Sequence, residues 1–318
     1  MDTFQGTIAF NPACDPEKSS KKLRKAMKGI GTDARVIIQE LTTHQNIQRQ
    51  EIVEKYKDLY GRDLRKDLMD ELGGTFEEAV LALLDSPNDL LVNALNKALK
   101  GHGTDEKTLI DILCCLTPDE LESLRDHYRR NFNTDLDDDL QNDLSGDFKM
   151  LMCSLVAAGR NEDQTVDPAT AATDAQTLYD AGVGKNSETD EEEFIRLFNN
   201  RSFPQLKETF EEYQKLSGSP IEDAVSQEFS GDIKTGLLAI VQRVKDPLGF
   251  FCERLNTTME GPGTDDTTLI RLLVSRSEID LASIKTKYQE MYQTELAEAV
   301  KDDTRGQYQN MLLAIIGT

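Results

Sequence analysis

Apolar residues recur along the chain at intervals of three and four. Leu109, Ile110, Ile112, Leu113 and Leu116 follow an i, i+3, i+4, i+7 spacing, which places them on one helix face. Ile52, Tyr56 and Leu59 do the same. Start signals precede such faces. Thr117-Pro118-Asp119-Glu120 predicts a helix N-terminus, with Thr as N-cap, Pro at the first helical position and Glu closing a capping box. Thr75 and Glu78 predict another capping box. Apolar stretches at 80–84, 237–241 and 311–316 predict the most buried helices. No alternating period-2 run is long enough to demand a sheet, so the fold class expected is all-α.

The pattern is repeated. The loop Lys28-Gly29-Ile30-Gly31-Thr32-Asp33 returns as Lys100-Gly101-His102-Gly103-Thr104-Asp105 and as Glu260-Gly261-Pro262-Gly263-Thr264-Asp265. A degraded copy is Asn186-Ser187-Glu188-Thr189-Asp190. The four threonines are 72, 85 and 75 residues apart. An acid with Gly three residues later follows each loop: Glu71, Asp143, Glu228 and Asp303, every one 39 residues after its threonine. Equal gaps in four places mark internal repeats. About five short helices fit in each. The expected organisation is a tail at 1–15, repeats at 16–86, 87–158, 174–244 and 245–318, and a polar linker between two halves at 159–173.

The loops suggest chemistry. Two glycines one residue apart open backbone conformations closed to other residues, so carbonyl oxygens can converge. Thr after the second Gly reads as N-cap of the next helix. A carboxylate from 39 residues downstream would complete an oxygen cage. Neutral carbonyls, one bidentate carboxylate and water suit Ca²⁺, with affinity toward the ~10⁻⁴–10⁻³ M end of the scale because carboxylates are few. Two plainer readings compete. The glycines could simply end a helix and the acid cap another, but three loops with the same spacing to an acid argue against that. A phosphate on the helix N-terminus fits the glycines and leaves the recurring acid unexplained.

Composition narrows the partners. The 318 residues carry 36 Lys plus Arg against 58 Asp plus Glu, a formal net charge of −22. That excludes a general nucleic-acid binder, which needs a basic face, and it repels an anionic membrane unless a cation bridges the two. No apolar stretch approaches a membrane span, and the first twelve residues do not read as a signal peptide. Five cysteines (Cys14, Cys114, Cys115, Cys153, Cys252) lack zinc spacing and read as reduced thiols of a cytoplasmic protein. Of three histidines, His44 and His127 read as surface or helix residues.

With these motifs, and with strings such as Lys25-Ala26-Met27-Lys28-Gly29 and residues 64–68, the chain resembles the annexin family over residues 16–318. The resemblance implies four five-helix repeats packed into one slightly curved disc with calcium on the convex face. It assigns as ligands the carbonyls of Met27, Gly29 and Gly31 with the Glu71 carboxylate; Leu99, Gly101 and Gly103 with Asp143; and Met259, Gly261 and Gly263 with Asp303. Lipid phosphate would fill positions left to water. The implied function is reversible, calcium-dependent binding to anionic phospholipid surfaces of the phosphatidylserine type. The protein would be cytoplasmic, peripheral on membranes when calcium rises, and would self-associate there. Membrane and calcium would each raise the affinity for the other, and several weak sites would act by avidity.

Departures from the family pattern carry expectations too. Arg201 and Arg276 match an arginine found after the second helix of a repeat, while His44 and Leu116 replace it. Asp111 and Arg271 align with a charged pair of the family's central channel, read here as an interior salt bridge rather than an ion path. The third repeat keeps Glu228 but has Asn186 and Glu188 at the glycine positions, so its standard site is expected to be missing; Gly182, Gly184 and Glu188 could form a shifted cage. Gly182 to Asn186 resembles a phosphate loop but lacks the earlier Gly and the Ser/Thr after Lys. The acidic run 135–143 lacks the central Gly and final Glu of an EF-hand and reads for most of its length as a solvated helix face, with Asp143 the exception. No nucleophile–base pairing marks an enzyme. The rival reading is an α-helical scaffold binding protein partners without calcium.

Overall fold

A computed structural model describes residues 4–29, 31–101, 103–157, 160, 164–184 and 189–318. Among them are twenty α-helices and no strand. The first repeat holds α1 (Pro16–Ala26), α2 (Ala34–Thr42), α3 (Asn46–Tyr60), α4 (Leu64–Glu71) and α5 (Gly74–Leu84). The second holds α6 (Pro87–Lys100), α7 (Glu106–Leu113), α8 (Pro118–Phe132), α9 (Leu136–Asp143) and α10 (Gly146–Val156). The third holds α11 (Pro168–Ala181), α12 (Glu191–Asn200), α13 (Phe203–Ser217), α14 (Ile221–Glu228) and α15 (Gly231–Lys245). The fourth holds α16 (Pro247–Thr258), α17 (Asp266–Arg276), α18 (Leu281–Tyr292), α19 (Leu296–Asp303) and α20 (Gly306–Ile316). None is long and apolar enough to cross a membrane among the described residues.

The helix signals are met at Thr117, which caps α8 with Pro118 at the first position and Glu120 closing the box. They are not met at Thr75. The residue before α5 is Gly73, which gives no side-chain cap, and Thr75 lies inside the first turn. The chain enters that helix through Gly74, whose φ of +62° an ordinary residue adopts only with strain. Gly146, Gly231 and Gly306 repeat this at the start of α10, α15 and α20. The stretch expected as a linker is helical from Pro168 onward. Asp167 caps α11 and Pro168 takes its first position, where a missing N–H costs nothing.

The chain divides into two compact units, residues 1–90 with 251–318, and residues 91–250. They are not the two halves of the sequence: the first repeat joins the fourth, and the second joins the third. The reason lies in the second and fifth helix of each repeat. In one unit α2, α5, α17 and α20 pack on one another; in the other, α7, α10, α12 and α15 do. These carry the densest apolar faces, with Val80, Leu83, Leu109, Leu113, Leu237, Ile240, Met311 and Ile315 inaccessible to solvent or nearly so. Burial of such side chains supplies about 1.5–3 kcal/mol each relative to exposure. Leu59, expected on the buried face of α3 with Ile52 and Tyr56, is 36% exposed.

The N-terminal segment is laced into the first unit. Thr7 and Ile8 donate their amides to the Ser277 carbonyl at 2.7 and 2.9 Å, the Thr7 hydroxyl donates to the Ile315 carbonyl at 2.6 Å, and Asn11 and Gln48 exchange two hydrogen bonds. Gly6 is required there: a Cβ would lie 2.5 Å from the Ser277 oxygen. Arg49, buried on α3, donates to the carbonyls of Leu83 at 2.7 Å and Leu41 at 3.1 Å, to that of His44, and to Glu278 Oε1 at 2.8 Å. It thereby ties α3 to the turn between α17 and α18 within one unit.

Candidate functional site

Each candidate loop joins the first helix of a repeat to the second. Its ends are pinned by one backbone bond. The amides of Asp33, Asp105 and Asp265 donate to the carbonyls of Ala26, Ala98 and Thr258, seven residues earlier, at 3.0, 3.0 and 2.8 Å. Asp190 makes the same bond to Ala181 at 2.8 Å, but across nine residues. The third loop is therefore two residues longer than its counterparts.

These aspartates, not the threonines, cap the second helices. Their carboxylates accept from the amides of Val36 at 3.4 Å, Thr108 at 3.0 Å, Glu193 at 3.3 Å and Thr268 at 3.1 Å. With Asp as N-cap, the preceding threonine is released for another task. Its hydroxyl donates to the recurring acid: Thr32 to Glu71 at 3.3 Å, Thr104 to Asp143 at 2.6 Å, Thr189 to Glu228, and Thr264 to Asp303. The 39-residue gap in the sequence is thus a direct contact in all four repeats. Each acid is the last residue of its helix (α4, α9, α14 or α19), after which the backbone turns extended and then into the positive-φ glycine.

The loop backbones fit oxygen donation. Gly29, Gly31, Gly103, Gly261 and Gly263 have φ between +85° and +119°. Gly101 does not; it departs from the other loop glycines. Met27 and Leu99 are buried and Met259 is half-buried, while all six loop glycines are exposed. Among the described residues, no hydrogen bond is made to the carbonyls of Met27, Gly29, Gly31, Leu99, Gly101, Gly103, Met259, Gly261 or Gly263. Glu71 and Asp143 are exposed and Asp303 is half-buried. No group of three or more His, Cys, Asp or Glu comes together among the described residues, so a cation here would draw chiefly on backbone oxygens. Lys185, Asn186, Ser187 and Glu188 lie outside the described residues, so the shifted cage is traced only at Gly182, which lies against Phe194 and the Glu228 stem, and Gly184, which lies against the Tyr179 ring.

Two anchoring acids escaped the sequence reading. Asp67 and Asp139 lie four residues before Glu71 and Asp143 and are buried. Asp67 accepts from Arg62 at 2.8 Å, Tyr56 at 2.6 Å and Arg24 at 3.1 Å. Asp139 accepts from Lys100 and Tyr128, each at 2.7 Å. The Arg62 hydrogen bond, joined by Tyr56 and Arg24, holds the Asp67 carboxyl below its ordinary range against its burial. At Asp139 burial pushes upward, but the bonds from Lys100 and Tyr128 outweigh it and the net direction is down. Burial and the Asp67 bond push Tyr56 up to about 12. Asp139 also corrects the picture of 135–143 as a solvated face. The 72-residue interval between Asp67 and Asp139 was the available signal; in the other repeats Ala224 and Ala299 take the position.

The remaining expectations divide. Arg201 pairs with Asp174 at 2.6 and 2.9 Å, and Arg276 with Asp280 at 2.7 and 2.6 Å. His44 is buried, not at the surface, with Nδ1 2.7 Å from the Glu40 carbonyl. His127 is on α8 and half-buried. His102 lies outside the described residues. Asp111 on α7 and Arg271 on α17 are each buried in their own unit. Among the described residues, none of the five cysteines is in a disulfide.

Comparison with known proteins gives the same fourfold division. The family model described as Annexin matches residues 18–83, 92–155, 173–240 and 250–315. Annexin A13 of Mus musculus is 43% identical over 302 residues, covering 95% of each chain. A solved structure of annexin III superposes with a TM-score of 0.97 at 40% identity, covering 99% of this chain and 98% of that one. A calcium-bound structure of annexin (Sm)1 superposes with a TM-score of 0.89 at 31% identity, covering 99% and 93%. Four matched repeats, each with five helices and a threonine bonded to an acid 39 residues on, make this chain a member of the annexin family.

Proposed function

We infer that this protein binds anionic phospholipid surfaces of the phosphatidylserine type, reversibly and in a calcium-dependent way. The observation that carries the reading is the Thr–acid bond, which fixes one carboxylate beside a loop whose carbonyls accept no hydrogen bond among the described residues. The residues that would hold the ion are Met27, Gly29, Gly31 and Glu71; Leu99, Gly101, Gly103 and Asp143; and Met259, Gly261, Gly263 and Asp303. Calcium bound there supplies a local positive charge with coordination positions open to lipid phosphate oxygens. Three such ions bring the formal charge only from −22 to −16, so the whole molecule stays repelled by an anionic bilayer and the attraction has to be local. The chain's part is to shape the loops with positive-φ glycines, hold the carboxylate with the threonine hydroxyl, and keep the loop glycines exposed. The calcium-bound structure of annexin (Sm)1 supports calcium as the ion. The third repeat keeps its Thr–acid bond but has the longer loop and no Gly-x-Gly, which supports a weaker or missing third site.

Co-sedimentation with phosphatidylserine/phosphatidylcholine vesicles tests the reading. The protein is expected to pellet in calcium and return to solution with chelator. Equal pelleting with chelator present would overturn it and favour calcium-independent scaffolding.

A further inference from the structure

The second unit contains a cleft of about 570 Å³ that has no part in the loops above. Its lining includes Thr117, Arg160, Ser202, Phe203, Lys207 and Arg243. Arg160 is 8% exposed, and among the described residues neither of its terminal nitrogens has a hydrogen-bond partner. Its guanidinium lies over the Phe203 ring, 4.3 Å from the centroid, and that of Arg243 lies over the same ring at 5.3 Å. Two like charges therefore share one aromatic ring. Burial pushes Arg160 down to about 10, against an upward effect of Cys114 and with a further, smaller lowering by the Arg243 charge. A buried charge without a partner costs several kcal/mol, so the geometry is that of a site awaiting its counter-ion.

The surroundings are positive as well. Thr117 and Ser202 are the N-caps of α8 and α13, each fifteen residues long, and Pro247, which begins α16, also lines the cleft. Helix N-termini present partial positive charge. Lys207 is exposed at the rim and forms no ion pair among the described residues. Among the described residues, Asp119 is the one carboxylate lining the cleft. Among the described residues the lining holds Arg160, Arg243 and Lys207 against Asp119, a local excess of positive charge on a chain of net charge −22 that suits a small anion.

We propose that this cleft binds a phosphate group, held by Arg160 and Arg243 and screened at the rim by Lys207, independently of calcium. Arginine's planar fork matches two oxygens of a phosphate at once. The phosphate could be carried by a soluble organic phosphate or by a phosphomonoester headgroup, and the two sources are separable.

The test is run in chelator, so the calcium loops take no part. Pyrophosphate binding is followed by calorimetry and by the shift in thermal midpoint, with chloride at equal ionic strength as control. Pelleting on phosphatidic acid/phosphatidylcholine vesicles is measured alongside. The parent protein is expected to bind pyrophosphate and to be stabilised by it. Arg160→Gln is expected to weaken binding about tenfold or more and to abolish the stabilisation, while losing no stability in chloride, since it removes an uncompensated charge. Lys207→Gln, at the surface, is expected to weaken binding a few-fold with an unchanged midpoint, and it keeps the test decisive if the Arg160 variant fails to fold. Calcium-dependent pelleting on phosphatidylserine vesicles is expected to persist in both. Vesicle pelleting in chelator that both variants reduce would support the site with a headgroup as its source. No binding of either probe, or binding that neither variant weakens, would overturn the proposal.

Discussion

The hydroxyl of Thr189 donates to the carboxylate of Glu228, as Thr32 does to Glu71, Thr104 to Asp143 and Thr264 to Asp303. The bond survives in the one repeat whose loop has lost its glycines and gained two residues. It is therefore part of how each repeat closes, whatever the loop above it holds. An acid that first serves closure is available for ligation wherever the loop also presents free carbonyls.

That separation makes the triple substitution Glu71→Gln, Asp143→Asn, Asp303→Asn informative. Each carboxamide keeps an oxygen that can accept the threonine hydroxyl while removing a charged ligand. Pelleting on phosphatidylserine vesicles in calcium is expected to be lost, with helical circular dichroism and thermal midpoint nearly unchanged. Retained pelleting would place the cation elsewhere.

The neighbouring Thr and Asp have different jobs and different variants. Asp105→Ala removes an N-cap and is expected to cost about 1 kcal/mol of stability, read from denaturant unfolding, with little change in the calcium midpoint. Thr104→Val removes the 2.6 Å bond to Asp143 and is expected to raise the calcium midpoint for pelleting about three- to tenfold, the equivalent of about 1 kcal/mol. The opposite pattern would reassign the two roles.

In the third repeat, Glu228→Gln is expected to leave the calcium midpoint for pelleting close to that of the parent, whereas Glu71→Gln raises it. An effect of Glu228→Gln as large as that of Glu71→Gln would show that the longer loop also serves.

Acid sensitivity follows from Asp67 and Asp139. Both carboxyls are held below their ordinary value in the folded chain. Their contribution is therefore complete above the unfolded value of about 3.9 and fades as pH falls through the lower, folded one. The thermal midpoint is expected to drop between about pH 5 and 2, and Asp67→Asn with Asp139→Asn to flatten that drop while lowering the midpoint at neutral pH. An unchanged slope would show that other acids govern it.

Much of this was legible in the chain alone, because repetition turns a weak local signal into a strong one. The helical period at Leu109–Leu113, the four 39-residue gaps and the recurring glycines are one-dimensional facts, and the number of repeats, their all-α class and the Thr–acid relationship follow from them. What could not be read was anything settled by which faces meet. Both Thr104 and Asp105 are good cap residues, and only the helix start decides that Asp caps while Thr turns to Asp143. Asp139 looks like its solvated neighbours until Lys100 and Tyr128 close on it. Arg49 looks like a surface residue of a polar helix until its guanidinium meets three carbonyls and Glu278. Sequence order suggested two halves, yet the first repeat folds with the fourth and the second with the third, because the apolar faces of their second and fifth helices pack on one another and are buried there.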